Sequence, residues 1–449
     1  MHKRYLILLL CALPVVSING QNDDIANRLT GNWAGAFIKH NNAQRIEVEI
    51  RPRGENLIGL LIMEEWHPTF GESEVPIQID STQNISLPTG YGRAVLKLDR
   101  KNLELVGTLL GINPQISLHL KKQPRAPAPA FTAEAITVKS DTLSIHGYLH
   151  VPQIRNKAAV IIVGGRGCYV DQTKYNLYAK LLRRYGVTVL AYQKRGTGKS
   201  SGDCVVATID DLAQDLIAAY RYLANHPNEY NRIGVLGISA GAWTIAKAAE
   251  TVTFDFTISI VGPATSVKTQ QLQSTGYGAD FYKLANNAKS NAQEYITLLC
   301  KDVLSASDYA RLTTLFQQAA SEGWDVLLEE TDKPVSYDRV NELWVRRHAY
   351  DPARVWKNYP NPLLAIYGER DWIVPAAENI EAFRQYFTDR PELLTTIVAP
   401  NAEHGMETEE KYVKLADQFS YWHFYRISPA VRIEIIEFLD KIGVVATAD

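Results

Sequence analysis

The chain of 449 residues carries 47 Lys and Arg against 49 Asp and Glu, a formal net charge of −2, and 46% of its residues are hydrophobic. No block of like charge stands out, so nothing in the composition points to a nucleic-acid or anionic-membrane partner. The length allows a large core and two domains. The first twenty residues, MHKRYLILLLCALPVVSING, run from basic to apolar to small and polar. That layout predicts a secretory signal peptide cut after Gly20, with an uncleaved anchor as the alternative. Cys11 lies inside the apolar run without the small residue before it that a bacterial lipoprotein signal needs. The mature chain keeps Cys168, Cys204 and Cys300, which make no disulfide framework and have no zinc-ligand spacing.

Residues 21–123 read as a small antiparallel β-domain, a sandwich or barrel. Apolar and polar residues alternate through Arg45–Ile50, Ile77–Ile79, Ala94–Leu98 and Ile116–Leu120, with turns at Arg53-Gly54 and Asp99–Asn102. Trp33, in Gly31-Asn32-Trp33-Ala34-Gly35, is expected to plug its core. Residues 124–131 form a Pro/Ala linker, stiff and extended, and mark the domain boundary. From residue 132 to 449 the texture changes. Thr132–His150 holds two strands, and continuous apolar runs follow at Ala158–Gly164, Val187–Tyr192, Ile233–Ile238, Phe256–Val261, Leu363–Tyr367 and Leu394–Ala399. Helical segments at Gln172–Tyr185, Ile209–Asn225 and Ala240–Glu250 lie between them, which predicts a mostly parallel, doubly wound α/β sheet. Residues 267–358 interrupt the rhythm and read as an inserted helical cap. Its Tyr277, Phe281, Tyr282, Trp324, Tyr337, Trp344 and Trp356 are expected to form mostly the cap's own core, a few walling an acyl or aromatic pocket. Cys300, in apolar Leu298-Leu299-Cys300, is expected to be buried there.

Open α/β sheets gather ligands beyond the carboxyl ends of their strands. The run Ile233–Ile238 ends at Ser239, inside Gly237-Ile238-Ser239-Ala240-Gly241, either a plain turn with a capping serine or a strained turn that presents a hydroxyl. Leu363–Tyr367 ends in Gly368-Glu369-Arg370-Asp371, and Leu394–Ala399 ends in Pro400-Asn401-Ala402-Glu403-His404. The order is Ser, acid, His. Asp371 is preferred to Glu369, which precedes it by two residues and would point elsewhere on an extended turn. His404 is preferred to His423, which sits among aromatics in Tyr421-Trp422-His423-Phe424. A Ser hydroxyl needs a base to take its proton, and that base needs an acid to hold its tautomer. Gly196-Thr197-Gly198-Lys199-Ser200 ends like a phosphate-binding loop but has Gln193 where that motif requires Gly. Gly164-Gly165-Arg166-Gly167 lacks the spacing of a dinucleotide fingerprint.

From about Phe131 to Gly443 the chain resembles the α/β-hydrolase superfamily, with closest likeness to bacterial secreted serine esterases and to the prolyl-oligopeptidase-type and acyl-thioesterase-type domains. The stretches that carry the resemblance are Leu190–Ser200, Gly237–Gly241, Tyr350-Asp351-Pro352 and Ala365–Pro375. The resemblance implies an α/β-hydrolase sheet with an inserted cap, preceded by the small β-domain, which falls outside the match. It implies a Ser239 nucleophile, a His404 base and an Asp371 acid, with oxyanion N–H donors at Ala240 and Arg166. Gly164 stands where relatives usually have His, and Gln193 where they often have Asp. It implies no metal and no organic cofactor. The function expected is a secreted or periplasmic serine hydrolase acting on a small-molecule ester. The alternatives are a peptidase or amidase of prolyl-oligopeptidase type, an acyl transferase or thioesterase, and a binding protein on an inactive hydrolase scaffold. No membrane span is expected once the signal is cut, and two roles stay open for the β-domain: binding a glycan or envelope partner, or packing beside the active site. Cys168 and Cys204 fall in loops after neighbouring strands, so an oxidising compartment would let them pair; free thiols are the alternative.

Overall fold

The computed structural model describes residues 19–39, 42–62, 72–89, 92–113, 115–124, 131–168, 173, 176–328, 332–338, 349–409 and 425–445. Most of the leader, most of the Pro/Ala linker, Trp344 and His423 lie outside the described residues. The described residues divide into two compact units.

The N-terminal unit opens on helix α1 (Asn19–Leu29), an element the sequence reading did not anticipate. It continues through eight strands: β1 (Gly31–Lys39), β2 (Asn42–Arg53), β3 (Asn56–Ile62), β4 (Glu72–Ile79), β5 (Ile85–Thr89), β6 (Gly92–Asp99), β7 (Glu104–Leu109) and β8 (Ser117–Lys122). These close into an antiparallel barrel, because β1 pairs with β2 on one side and β8 on the other, Trp33 lying opposite Val48 and Lys122. Closure removes the unpaired edges that an open sheet would expose. The period-two alternation turns Trp33, Phe37, Ile46, Val48, Leu96 and Leu118 inward, all almost fully buried. Each such side chain contributes roughly 1.5–3 kcal/mol of burial. The Trp33 indole N–H donates to the Leu29 carbonyl at 2.8 Å, so the buried ring leaves no polar atom unpaired.

The second unit has the α/β-hydrolase fold. Strands β9 (Phe131–Ser140) and β10 (Leu143–Pro152) form an antiparallel hairpin. β11 (Ala158–Val163), β12 (Thr188–Tyr192), β13 (Arg232–Ile238), β14 (Thr257–Ile260), β15 (Leu363–Gly368) and β16 (Leu394–Ala399) run parallel, in the order β16-β15-β14-β13-β11-β12-β10-β9. The helices are α2 (Leu177–Arg184), α3 (Ile209–Ala224), α4 (Gly241–Ala248), α5 (Val267–Phe281), α6 (Asn286–Leu299), α7 (Ala306–Glu322), α8 (Ala353–Asn358), α9 (Ala376–Tyr386) and α10 (Pro429–Lys441). The continuous apolar runs are explained by burial on both faces. Ala159, Ile161 and Val163 of β11 pack on the side of α3 and α4, while Ala158, Val160 and Ile162 pack on the side of α2 and α10. Strand β16 departs from this: it is the sheet edge, and most of its residues are only partly buried, with Val398 exposed. A short antiparallel pair, β17 (Glu407–Glu409) with β18 (Tyr425–Ile427), follows it.

Helices α5 to α7 interrupt the sheet between β14 and β15, and α6 and α7 share a core of Tyr295, Leu299, Leu312, Leu315 and Trp324, with Cys300 buried among them. The expected aromatics divide several ways, and Tyr337 is half-buried with its hydroxyl donating to the Leu304 carbonyl at 2.8 Å. Trp324 belongs to that core. Trp356 instead packs with Tyr359 and Phe383 in the core beneath the sheet, because α8 already returns the chain to the sheet's flank. Tyr277, Phe281 and Tyr282 are exposed. Among the described residues no helix is long and apolar enough to cross a membrane.

Candidate active site

Strand β13 ends at Ser239, whose φ of 50° lies in the left-handed region. For a non-glycine residue that conformation costs about 1–3 kcal/mol. It is held by the Ser239 N–H donating to the Ile260 carbonyl at 2.9 Å and by the Ala242 N–H donating to the Ser239 carbonyl at 3.0 Å. The glycine that follows is required by contact. A Cβ on Gly241 would lie 2.8 Å from the Val163 carbonyl oxygen, so only glycine lets α4 start this close to β11. Of the two readings of this turn, the strained one describes what is seen.

The ends of β15 and β16 meet beside it. A Cβ on Gly368 would lie 2.4 Å from the Ala402 carbonyl oxygen, so the two loops touch only because residue 368 is glycine. The Arg370 N–H donates to the same Ala402 carbonyl at 2.9 Å. Asp371 is buried, and its Oδ1 accepts the backbone N–H groups of Ile373 at 2.9 Å and Val374 at 3.0 Å. Its Oδ2 lies 2.9 Å from Nδ1 of His404, and His404 Nε2 lies 3.0 Å from Ser239 Oγ. One hydrogen-bonded chain therefore links residues on three separate strand ends. Glu369 takes no part in it: its Oε2 accepts the Asn401 N–H at 2.7 Å and so braces the turn that carries His404. Beside Asp371, burial first and the carboxylate second hold the Tyr367 phenol well above its ordinary pKa. That phenol donates to the Gly262 carbonyl at 2.8 Å. Burial also raises the Glu407 carboxyl, close after His404.

The two residues named for the oxyanion both line one cavity. It has a volume of about 90 Å³, and its walls include Gly164–Cys168, Lys194, Ala240, Trp243, Val267 and Gln271. The Ala240 N–H donates to no group among the described residues. Arg166 makes an ion pair through its side chain, with the buried Asp332 at 2.5 Å. Cys168 and Cys204 form a disulfide, with their Cα atoms 5.7 Å apart. Sequence reasoning had left that pairing open and missed Lys194 and Asp332 altogether. No local pattern marks either residue; only their position against the glycine-rich loop does. Beyond β12, the Gln193–Ser200 stretch is a structural turn. Gln193 Oε1 accepts the Lys199 N–H at 2.9 Å, and Arg195 makes two bonds of 2.8 and 2.9 Å to the buried Asp215. Trp372, directly after Asp371, stacks on Phe281 and meets Tyr282 edge-on, with ring centroids at 6.2 and 5.6 Å. Among the described residues no group of three or more His, Cys, Asp or Glu is arranged to hold a metal ion.

The family model described as serine aminopeptidase, S33, matches residues 154–411, more than half of the chain and all of the strand ends just described. Among solved structures, an esterase from Pyrococcus furiosus is similar at 17% identity, over 71% of this chain and 96% of that one, with a TM-score of 0.45. Est1E from Butyrivibrio proteoclasticus, solved with ferulic acid, is similar at 15% identity, over 68% of this chain and 98% of that one, with a TM-score of 0.42. A proline iminopeptidase from Mycobacterium smegmatis is similar at 17% identity, over 61% of this chain and 92% of that one, with a TM-score of 0.38. None of the curated proteins compared with the chain by sequence matches it.

Proposed function

The chain belongs to the serine aminopeptidase S33 family of α/β-hydrolases and is a serine hydrolase, and from that premise we propose that it cleaves carboxylic esters through an acyl-enzyme on Ser239. The observation that carries the proposal is the unbroken chain from Asp371 Oδ2 to His404 Nδ1 and from His404 Nε2 to Ser239 Oγ. In this reading His404 takes the serine proton as Oγ attacks the ester carbonyl, then returns it to the departing alkoxide. Water attacks the acyl-enzyme by the same route, leaving the acid and free Ser239. Asp371, anchored by two backbone N–H groups, keeps the Nδ1–H tautomer and stabilises the imidazolium. The N–H groups of Ala240 and Arg166 receive the tetrahedral oxyanion.

The cavity beside Ala240 is small, and Trp243, Val267, Ile209 and Leu212 give it an apolar wall, which favours a short apolar acyl group. A second reading, amide cleavage at a peptide N-terminus, is favoured by the description of the family model. We also propose that the mature protein acts in a secreted or periplasmic setting, a reading the Cys168–Cys204 disulfide supports.

A p-nitrophenyl ester series of increasing acyl length, run beside matched aminoacyl anilides on the wild type and on Ser239→Ala, tests the proposal. Turnover of short esters that disappears in the variant is expected. Anilide cleavage outpacing every ester would replace the ester reading with the amide one. No turnover and no labelling of Ser239 by a fluorophosphonate would overturn both.

A further inference from the structure

The loop Gly164-Gly165-Arg166-Gly167 has a conformational problem. Three of its four residues are glycine, so the peptide joining Gly165 to Arg166 meets little steric resistance to rotation. Gly165 lies against the serine: a Cβ on it would come within 3.2 Å of Ser239 Cβ. In a planar trans peptide the carbonyl and the N–H point in opposite directions. One orientation offers the Arg166 N–H to a developing oxyanion. The flipped orientation offers the Gly165 carbonyl oxygen, which would repel it.

Lys194 is bonded to this loop. Its ammonium donates to the Gly165 carbonyl and, at 2.7 Å, to the Gly167 carbonyl, the two acceptors that bracket Arg166. We propose that Lys194 is a positioning residue of the oxyanion site, its ammonium pinning and polarising the peptide whose N–H at Arg166 faces the substrate oxygen. The inference rests on the serine-hydrolase reading of Ser239 and deepens it. A cation bonded to one end of a peptide unit strengthens the N–H at the other end as a donor, because hydrogen bonds in series polarise one another. The positive charge also sits behind the N–H on the side away from the oxyanion, where it stabilises developing negative charge without competing for it. Two further tethers limit where the loop can go, the Arg166–Asp332 ion pair and the Cys168–Cys204 disulfide. Neither of these bonds to the Gly165 carbonyl, which Lys194 holds directly.

The test compares Lys194→Met, Lys194→Gln and Lys194→Arg with the wild type, using one short p-nitrophenyl ester and a boronic acid that forms a tetrahedral adduct with the serine. Losing an oxyanion donor outright costs about 10²–10³ in kcat; a residue acting through that donor is expected to cost about tenfold. Lys194→Met should lose about tenfold in kcat with KM unchanged and bind the boronate about tenfold more weakly. Lys194→Arg should recover most of the loss. A melting curve accompanies each variant, and if Lys194→Met does not fold, Lys194→Gln carries the same comparison. Unchanged kcat in the folded variants, a loss confined to KM, or an arginine variant as impaired as the methionine one would overturn the inference. A wild type that neither cleaves the ester nor takes a fluorophosphonate on Ser239 would overturn the hydrolase reading, and this inference with it.

Discussion

Replacing Asp371 with Asn changes no heavy-atom volume and tests the chain of contacts at its buried end. The side chain has two orientations. In one, the amide oxygen keeps the place of Oδ1 and still accepts the N–H groups of Ile373 and Val374, at 2.9 and 3.0 Å in the wild type. The amide NH₂ then stands where Oδ2 was, 2.9 Å from His404 Nδ1, and can only donate. His404 must accept on Nδ1 and carry its proton on Nε2, which lies 3.0 Å from Ser239 Oγ. A base already protonated at that nitrogen cannot take the serine proton. The flipped orientation would set the NH₂ against two backbone donors in a site where Asp371 is only 5% exposed. Two unpaired buried donors at about 1–3 kcal/mol each disfavour the flip by about 2–6 kcal/mol. The inactive tautomer therefore dominates, and kcat for a short p-nitrophenyl ester is expected to fall about 10⁴-fold, a barrier increase of about 5 kcal/mol. KM and the melting temperature should change little. An Asp371→Asn protein that folds normally and keeps more than about a tenth of kcat would refute the reasoning, and a larger loss in Glu369→Gln would assign the acid to the residue two positions earlier.

Stability should depend on pH through His150, which is fully buried on β10, its Nε2–H donating to the Thr173 carbonyl at 2.8 Å while Nδ1 accepts from Arg183 at 3.1 Å. Burial lowers its pKa from 6.5 to about 4. Between those values the unfolded chain binds the proton and the folded one does not, so stability is full above pH 6.5 and falls as the pH drops toward 4, by about 3 kcal/mol from this group. Chemical denaturation at stepped pH should show that decline, with a shallower one in His150→Gln; identical slopes would count against it. Removing the disulfide frees a loop spanning a sequence separation of 36, and chain entropy puts the loss at about 3–4 kcal/mol. A Cys168→Ser/Cys204→Ser protein should melt several degrees lower and become indifferent to reductant, and equal melting temperatures would contradict this.

How much of this was legible in advance follows from how far each signal reaches along the chain. The continuous run Ala158–Gly164 identified a strand buried on both faces, because side chains on alternate residues of β11 enter two different cores. The runs before Ser239, Asp371 and His404 placed all three at strand ends, and a parallel sheet puts such ends on one side. The strained turn at Ser239 was legible as one of two readings. Other features were not legible. The two-residue offset set Asp371 apart from Glu369 as the acid, but it did not reveal that Glu369 would accept the Asn401 N–H across the neighbouring loop. Trp356 looked like a cap residue because the helical texture continues through α8, although the chain has already returned to the sheet core there. β16 read as a buried strand although it is the edge, since apolar content does not report how many neighbours a strand has.

The sequence by itself determined the element types, their order and the chemistry available at each strand end, because period, turn residues and apolar runs act over a few neighbouring residues. The tertiary structure alone decided that the barrel closes between β1 and β8, that Cys168 meets Cys204, and that Lys194 reaches the carbonyls on both sides of Arg166. It also set Ser239 and His404, 165 residues apart, at 3.0 Å. Each of these depends on which strands lie side by side, and strand adjacency is settled by packing of the whole sheet rather than by any window of the chain.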